Sequence, residues 1–320
     1  MQLSGSSDVP FAYASARVRM LEQRMLTRAD IERMLTAASI RDCLRVLAET
    51  EYAAGMGTTK DYEVILAAEL RRVYDMVTSF APEPELLQMW AARHAFLSLK
   101  TLLKAALQRT AVAEGGLPLW APVEQEWLEE TVKRALEASA EPDNDHETVE
   151  VEIDRAAQAE EEESMLRIYL VEAAEEAVSA YSEYGAPEEI DIAVDACYQR
   201  YLVDLTSAPQ ATFLRGWVQR FADVTNLRTF IRFALAERAA DKLKRSLLVG
   251  GSFFSEDLVR TYTEGRDSEG RMEGLSQLLV GTEYAELVAA GRGLYKESGL
   301  LYGLEREMED FLEEHLDSAK

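Results

Sequence analysis

Leu99-Lys100-Thr101-Leu102-Leu103-Lys104-Ala105-Ala106-Leu107 recurs 128 positions later as Leu227-Arg228-Thr229-Phe230-Ile231-Arg232-Phe233-Ala234-Leu235. Four of the nine positions are identical and both lysines become arginines. Leu99, Leu102, Leu103, Ala106 and Leu107 stand at i, i+3, i+4, i+7 and i+8, the spacing of one buried helix face. Leu227, Phe230, Ile231, Ala234 and Leu235 reproduce that stripe. A second echo is shorter and literal: Leu47 and Thr50-Glu51-Tyr52-Ala53 return as Leu279 and Thr282-Glu283-Tyr284-Ala285, 232 positions on. If 232 residues span two units, one unit is about 116, close to the 128 of the first echo. Two amphipathic helices can match by chance; two echoes with nearly agreeing offsets argue for a repeat. The expected fold is all-α, three similar helical-bundle subdomains.

Composition narrows the function. The chain has 320 residues, enough for two average domains or three small ones with buried cores. Its formal net charge of −24 excludes nucleic acid as a partner, because phosphates demand a basic footprint. It argues equally against electrostatic docking on anionic lipid. Residues 114–163 hold 17 acidic and 3 basic side chains, so the rest of the chain is only mildly acidic. Cys43 and Cys197 lie far apart in apolar helical patterns and read as buried thiols. The N-terminal residues carry no basic and apolar signal, and no apolar run approaches the roughly 20 residues of a bilayer span. The expectation is a soluble, cytoplasmic protein.

Along the chain, helical periodicity dominates. A flexible leader is expected over 1–10, a first helical unit over 11–114, a second over 115–249 and a third over 250–320. Thr27-Arg28-Ala29-Asp30 and Ser39-Ile40-Arg41-Asp42 are helix starts. Gly115, Gly116, Pro118 and Pro122 mark the first joint, with Trp120 and Trp127 packed nearby, and Gly250-Gly251 the second. Residues 138–164 read as a solvated acidic insertion, since like charges repel and resist packing. A calcium loop is the sharper alternative, but the ligand spacing and central glycine are absent.

Beside the repeated stripes, Lys100 and Lys104 are one turn apart, as are Arg228 and Arg232. Each unit thus carries a ladder of two cations on the border of its buried face. Two readings stand: a solvated flank whose aliphatic stems cover the core edge, or the wall of a shared cavity gripping a partner's carboxylates. Asp223 and Asn226 are costly inside a helix, so they are expected to hydrogen-bond a neighbouring helix end or loop. Tyr52 and Tyr284, in the second echo, are expected to be largely buried, each packed at a helix end with its hydroxyl paired. Enzyme signatures are missing. His94, His146 and His315 make no metal or acid–base spacing, and Gly250-Gly251-Ser252 lacks the lysine and spacing of a phosphate loop. The expectation is a non-catalytic chain with no cofactor, no metal and no small-molecule substrate.

Several segments together resemble the family of C subunits of bacterial and archaeal V/A-type rotary ATPases, counterparts of the eukaryotic V-ATPase d subunit. They are Phe11-Ala12-Tyr13 with Ala16-Arg17-Val18-Arg19 and Met25-Leu26; Leu47-x-x-Thr50-x-Tyr52; Asp223-x-x-Asn226-Leu227-Arg228; Gly250-Gly251; and, more weakly, Ile190-Asp191 with Val194-Asp195 and Tyr198. The resemblance implies three bundles around a pseudo-threefold axis, forming a funnel. It implies a rotor coupling, without an active site, between the central stalk (the D and F subunits) and the membrane proteolipid ring, on the cytoplasmic face. Three departures accompany it, one being the acidic insertion over 138–164, which the family does not lead one to expect. The first unit has Ala95-Phe96-Leu97-Ser98 where the second has Asp223-Val224-Thr225-Asn226. The third basic ladder would fall beyond Lys320, so the third unit is expected to be incomplete or diverged. A helical repeat scaffold for another protein partner is the alternative; an enzyme built on helical carboxylates is a distant third.

Overall fold

The computed structural model describes residues 9–53, 61–82, 84–112, 117–118, 120–140, 165–208, 211–299 and 301–317. Most of the acidic stretch, residues 141–164, lies outside them, as do Gly55, Gly57, Gly115, Gly116, Pro209 and His146. Every element among the described residues is helical. In chain order they are α1 (Val9–Glu22), α2 (Arg28–Leu35), α3 (Ile40–Leu47), α4 (Tyr62–Thr78), α5 (Pro84–Leu107), α6 (Gln125–Ala140), α7 (Met165–Tyr184), α8 (Pro187–Leu205), α9 (Thr212–Leu235), α10 (Ala240–Ser246), α11 (Ser255–Glu264), α12 (Ser268–Leu278), α13 (Tyr284–Ser298) and α14 (Tyr302–Asp317). The helix α1 begins inside the expected leader, since Pro10 in a first turn forfeits only an N–H that has no helical partner. Residues 138–140, expected to open the acidic insertion, instead complete the last turn of α6.

The starts follow local chemistry. Thr27 accepts from the Asp30 amide and Asp30 returns a bond to the Thr27 amide, a reciprocal cap on α2. Ser39 caps α3 through the Asp42 amide.

The chain divides into two compact units, Met1–Thr101 with Ala111–Leu128, and Leu102–Thr110 with Glu129–Lys320. In the first, Leu44, Leu47 and Ile65 form a buried cluster against which Leu26, Met34 and Tyr52 pack. Half-buried Trp120 sits 5.0 Å from the Tyr74 ring, and half-buried His94 lies 5.8 Å from Trp120. In the second, α7 and α8 lie together along small buried residues, among them Ala173, Ala174, Ala177 and Ala193. The helix α9 is the axle of the larger core. Leu227, Phe230 and Ile231 meet Leu243 of α10, Leu258 and Tyr262 of α11, Met272 and Leu275 of α12, Val288 of α13 and Met308 of α14. Each fully buried side chain of this size contributes about 1.5–3 kcal/mol.

The repeat is written in the backbone as well as in the residues. Both non-glycine residues with positive φ in the described chain are Arg109 (54°) and Glu237 (50°), 128 positions apart. Each sits two residues past the end of its echoed helix. Thr110 N–H bonds Ala105 and Arg109 N–H bonds Ala106; 128 residues later, Arg238 bonds Phe233 and Glu237 bonds Ala234. This is the same left-handed helix stop built twice. The shorter echo also repeats its bonds. Thr50 Oγ1 donates to the Leu47 carbonyl at 2.7 Å and accepts from the Tyr52 amide at 3.3 Å. Thr282 Oγ1 donates to Leu279 at 2.8 Å and accepts from Tyr284 at 3.3 Å.

Candidate functional site

The helix α9 carries the residues singled out by sequence at two levels. In its middle, Asp223 and Asn226 face the segment that crosses from α10 to α11. Asn226 uses both ends of its amide on one residue: Nδ2 donates to the Leu248 carbonyl at 2.9 Å, and Oδ1 accepts from the Leu248 amide at 2.7 Å. Asp223, with 0% exposure, accepts from the Ser252 amide at 2.8 Å, the Ser252 hydroxyl at 2.6 Å and the Tyr284 hydroxyl at 2.8 Å. Gln199 of α8 adds a bond to the Val249 carbonyl at 3.0 Å. The stretch of chain between these anchors must come very close. A Cβ on Gly251 would stand 2.4 Å from Asp223 Oδ1, and Gly250 has φ +83° with Val203 2.6 Å from a would-be Cβ. Burial, and then the adjacent Asp223 carboxylate, raise the Tyr284 hydroxyl above the usual phenol range, so it stays a donor. Its ring packs against Phe253 and Phe311. Tyr52, by contrast, is only half-buried.

One to two turns further along lie the ladders. The second cation of each binds a carboxylate on a distant helix. Lys104 Nζ meets Asp191, at the start of the second turn of α8, at 2.7 Å. Arg232 meets Glu305, in the first turn of α14. In both cases the acceptor lies near the start of the second helix of a helical pair, α7–α8 or α13–α14. Lys100 and Arg228 are half-buried and also engaged. The structure therefore brings Asp223, Asn226 and Tyr284 together in one buried hub. It places Lys104 and Arg232 in two equivalent ion pairs, each partly exposed, with side-chain exposures of 36% and 53%. Ser252, Gln199 and Glu305 were missed in the sequence; nothing local marks a partner 29, 50 or 73 residues away.

A third cluster uses the first turn of α8. Glu188 binds Lys242 and Arg238, and Glu189, nearly buried, lies 3.3 Å from Arg245 and 3.6 Å from Lys242. Carboxylates suit the positive end of a helix, and the hydrogen bond from Lys242 holds Glu188 below the ordinary carboxylate range. Cys197 is buried beside Glu176 and Arg200, and burial followed by Glu176 pushes its thiol up, away from reactivity. Tyr169, bonded to Asp204, is pushed up to about 12 by burial and that carboxylate. These groups fasten helices to one another. Among the described residues no cluster of His, Cys, Asp or Glu is arranged to hold a metal, and no helix is long and apolar enough to cross a membrane.

The family described as "ATP synthase (C/AC39) subunit" matches residues 14–320. Three curated proteins are similar over most of the chain. The C subunit of the A-type ATP synthase of Methanocaldococcus jannaschii is 23% identical across 95% of this chain and 73% of that protein. The C subunit of the V-type sodium ATPase of Enterococcus hirae is 26% identical across 92% and 80%. The C subunit of the A-type ATP synthase of Methanothermobacter thermautotrophicus is 23% identical across 95% and 74%.

Proposed function

Because this chain belongs to the ATP synthase (C/AC39) subunit family, we propose that it is the non-catalytic rotor coupler of an A/V-type ATPase. In this reading it joins the central stalk, made of the D and F subunits, to the membrane proteolipid ring on the cytoplasmic face. The match across residues 14–320 carries the reading. Its physical support is that conspicuous polar groups of the second unit hold helices together: the Asp223 hub and the Glu188–Glu189 cluster. A part that passes torque needs rigid joints, and fully satisfied buried polar contacts fix helices in one arrangement. Lys100, Lys104, Arg228 and Arg232 form the stalk-facing flank in this proposal.

The test is reconstitution. Membranes carrying the ring, with the catalytic head and the D–F stalk, are assembled with and without this chain. Without it, ATP hydrolysis by the head persists while ATP-driven ion uptake is lost, and adding the chain restores uptake. Full uptake without the chain, or a chain that co-purifies with neither stalk nor ring, defeats the proposal.

A further inference from the structure

We propose that Asp191 and Glu305 are internal stand-ins for a partner's carboxylates, so that the ladder cations are occupied in the free chain and released on docking. The inference rests on the stalk-facing role given above to the ladders. Its observations are the two ion pairs. Lys104 and Arg232 are equivalent positions of the repeated helix, 128 residues apart. Each takes a carboxylate 87 or 73 residues further along the chain, from the first two turns of another helix. Both pairs stay partly open to solvent, at 36% and 38% for Lys104 and Asp191 and 53% and 28% for Arg232 and Glu305.

Those exposures set the energetics. A half-exposed ion pair is weak, about 0–1 kcal/mol, so an incoming carboxylate displaces it at small cost. A cation already held is nevertheless a weaker site than a free one, because apparent affinity is scaled by the fraction of time the internal pair is open. Each internal carboxylate therefore lowers apparent affinity about two- to five-fold, and the two together about ten-fold. The buried Asp223 hub, with 0% exposure, is not exchangeable in this way and keeps α13 on α9 while the ladder pairs open. The partner surface that fits is a helix presenting carboxylates one turn apart, matched to cations at i and i+4.

The experiment measures association of the full chain with two probes, the purified D–F stalk and a synthetic helical peptide bearing glutamates at every fourth position. Asp191→Asn and Glu305→Gln are made singly and together. Glu126→Gln with Glu264→Gln, on exposed positions, matches the change in net charge. The double ladder variant is expected to bind both probes about ten-fold more tightly than the charge-matched control, with each single variant intermediate. Equal binding by the double variant and the control overturns the inference and leaves the two pairs as helix ties. If wild type ignores the stalk while the double variant gains the peptide, the stalk reading fails and the internal competition stands.

Discussion

Asp223 has lost all contact with water and is satisfied by three donors, so removing one leaves a buried acceptor short. An unmade bond of this kind costs about 1–3 kcal/mol. Tyr284→Phe should therefore lower stability by that amount, read as a shift in the urea midpoint with unchanged slope. Tyr52 stands in the matching turn but is only half-buried against Leu44, Leu47 and Ile65. Its ring, not its hydroxyl, is the packing element. Tyr52→Phe should change stability by under about 0.5 kcal/mol, while Tyr52→Ala costs several-fold more through lost burial. Equal effects of Tyr284→Phe and Tyr52→Phe would show that the Asp223 bond contributes nothing. Glu188 gives a pH prediction at the same scale. Its carboxyl is held below its ordinary value of 4.5 by Lys242 in the fold, so the unfolded chain binds its proton first as pH falls. The stabilisation is present above about pH 4.5 and is lost as pH falls through the folded value. Glu188→Gln should lower the neutral plateau of a melting-temperature profile slightly and leave its acid end unchanged, so that the acid limb flattens. An acid limb of the same slope in both proteins would count against the pair.

The helices α5 and α9 end on Arg109 and Glu237, residues forced into a left-handed conformation that costs a side chain about 1–2 kcal/mol. Glycine removes that strain but adds freedom to the unfolded chain, which offsets part of the gain. Arg109→Gly and Glu237→Gly should each stabilise by about 0.5–1 kcal/mol, additively because they are separate sites. Chemical denaturation of the single and double variants checks this, and a loss of stability in either would mean the side chain makes a compensating contact. These stops were not legible in the sequence, because the usual glycine is absent from both. The stripe was legible, since Leu99, Leu103, Leu227 and Ile231 follow the helical period and all are buried. Its last turn differs between copies. Ala234 is buried under the surrounding core, whereas Ala106 is exposed on a cavity of about 480 Å³ between α5 and α6, with Leu102, Val132 and Leu136 in its lining. Helix identity thus came from periodicity, which is local. The partners of Lys104, Asp223 and Arg232 came only from tertiary folding, because an ion pair across 73 or 87 residues leaves no periodic trace.

At the scale of the whole molecule, 58 acidic and 34 basic side chains set two opposing effects against each other. Neighbouring opposite charges attract, as in Arg33–Glu49, Arg200–Glu176 and Arg220–Glu283, but these pairs are partly open to solvent and worth about 0–1 kcal/mol each. The net charge of −24 repels itself over longer distances, and every compact arrangement suffers from that. Salt separates the two by range. At about 0.01 M the screening length is about 30 Å, comparable with the roughly 36 Å length of the 24-residue helix α9, so repulsion acts across whole elements. At about 0.15 M it falls to about 8 Å, which removes most of the long-range repulsion while contact pairs at about 3 Å are weakened far less. Salt should therefore stabilise the chain. Its thermal midpoint at pH 7 should rise by several degrees between about 0.01 M and 0.15 M potassium chloride, then level off as the remaining attractive pairs are screened. Calorimetry at fixed protein concentration reads this directly. A midpoint that falls over the same range would mean that the network around Glu188, Glu189, Lys242 and Arg245 outweighs the excess negative charge.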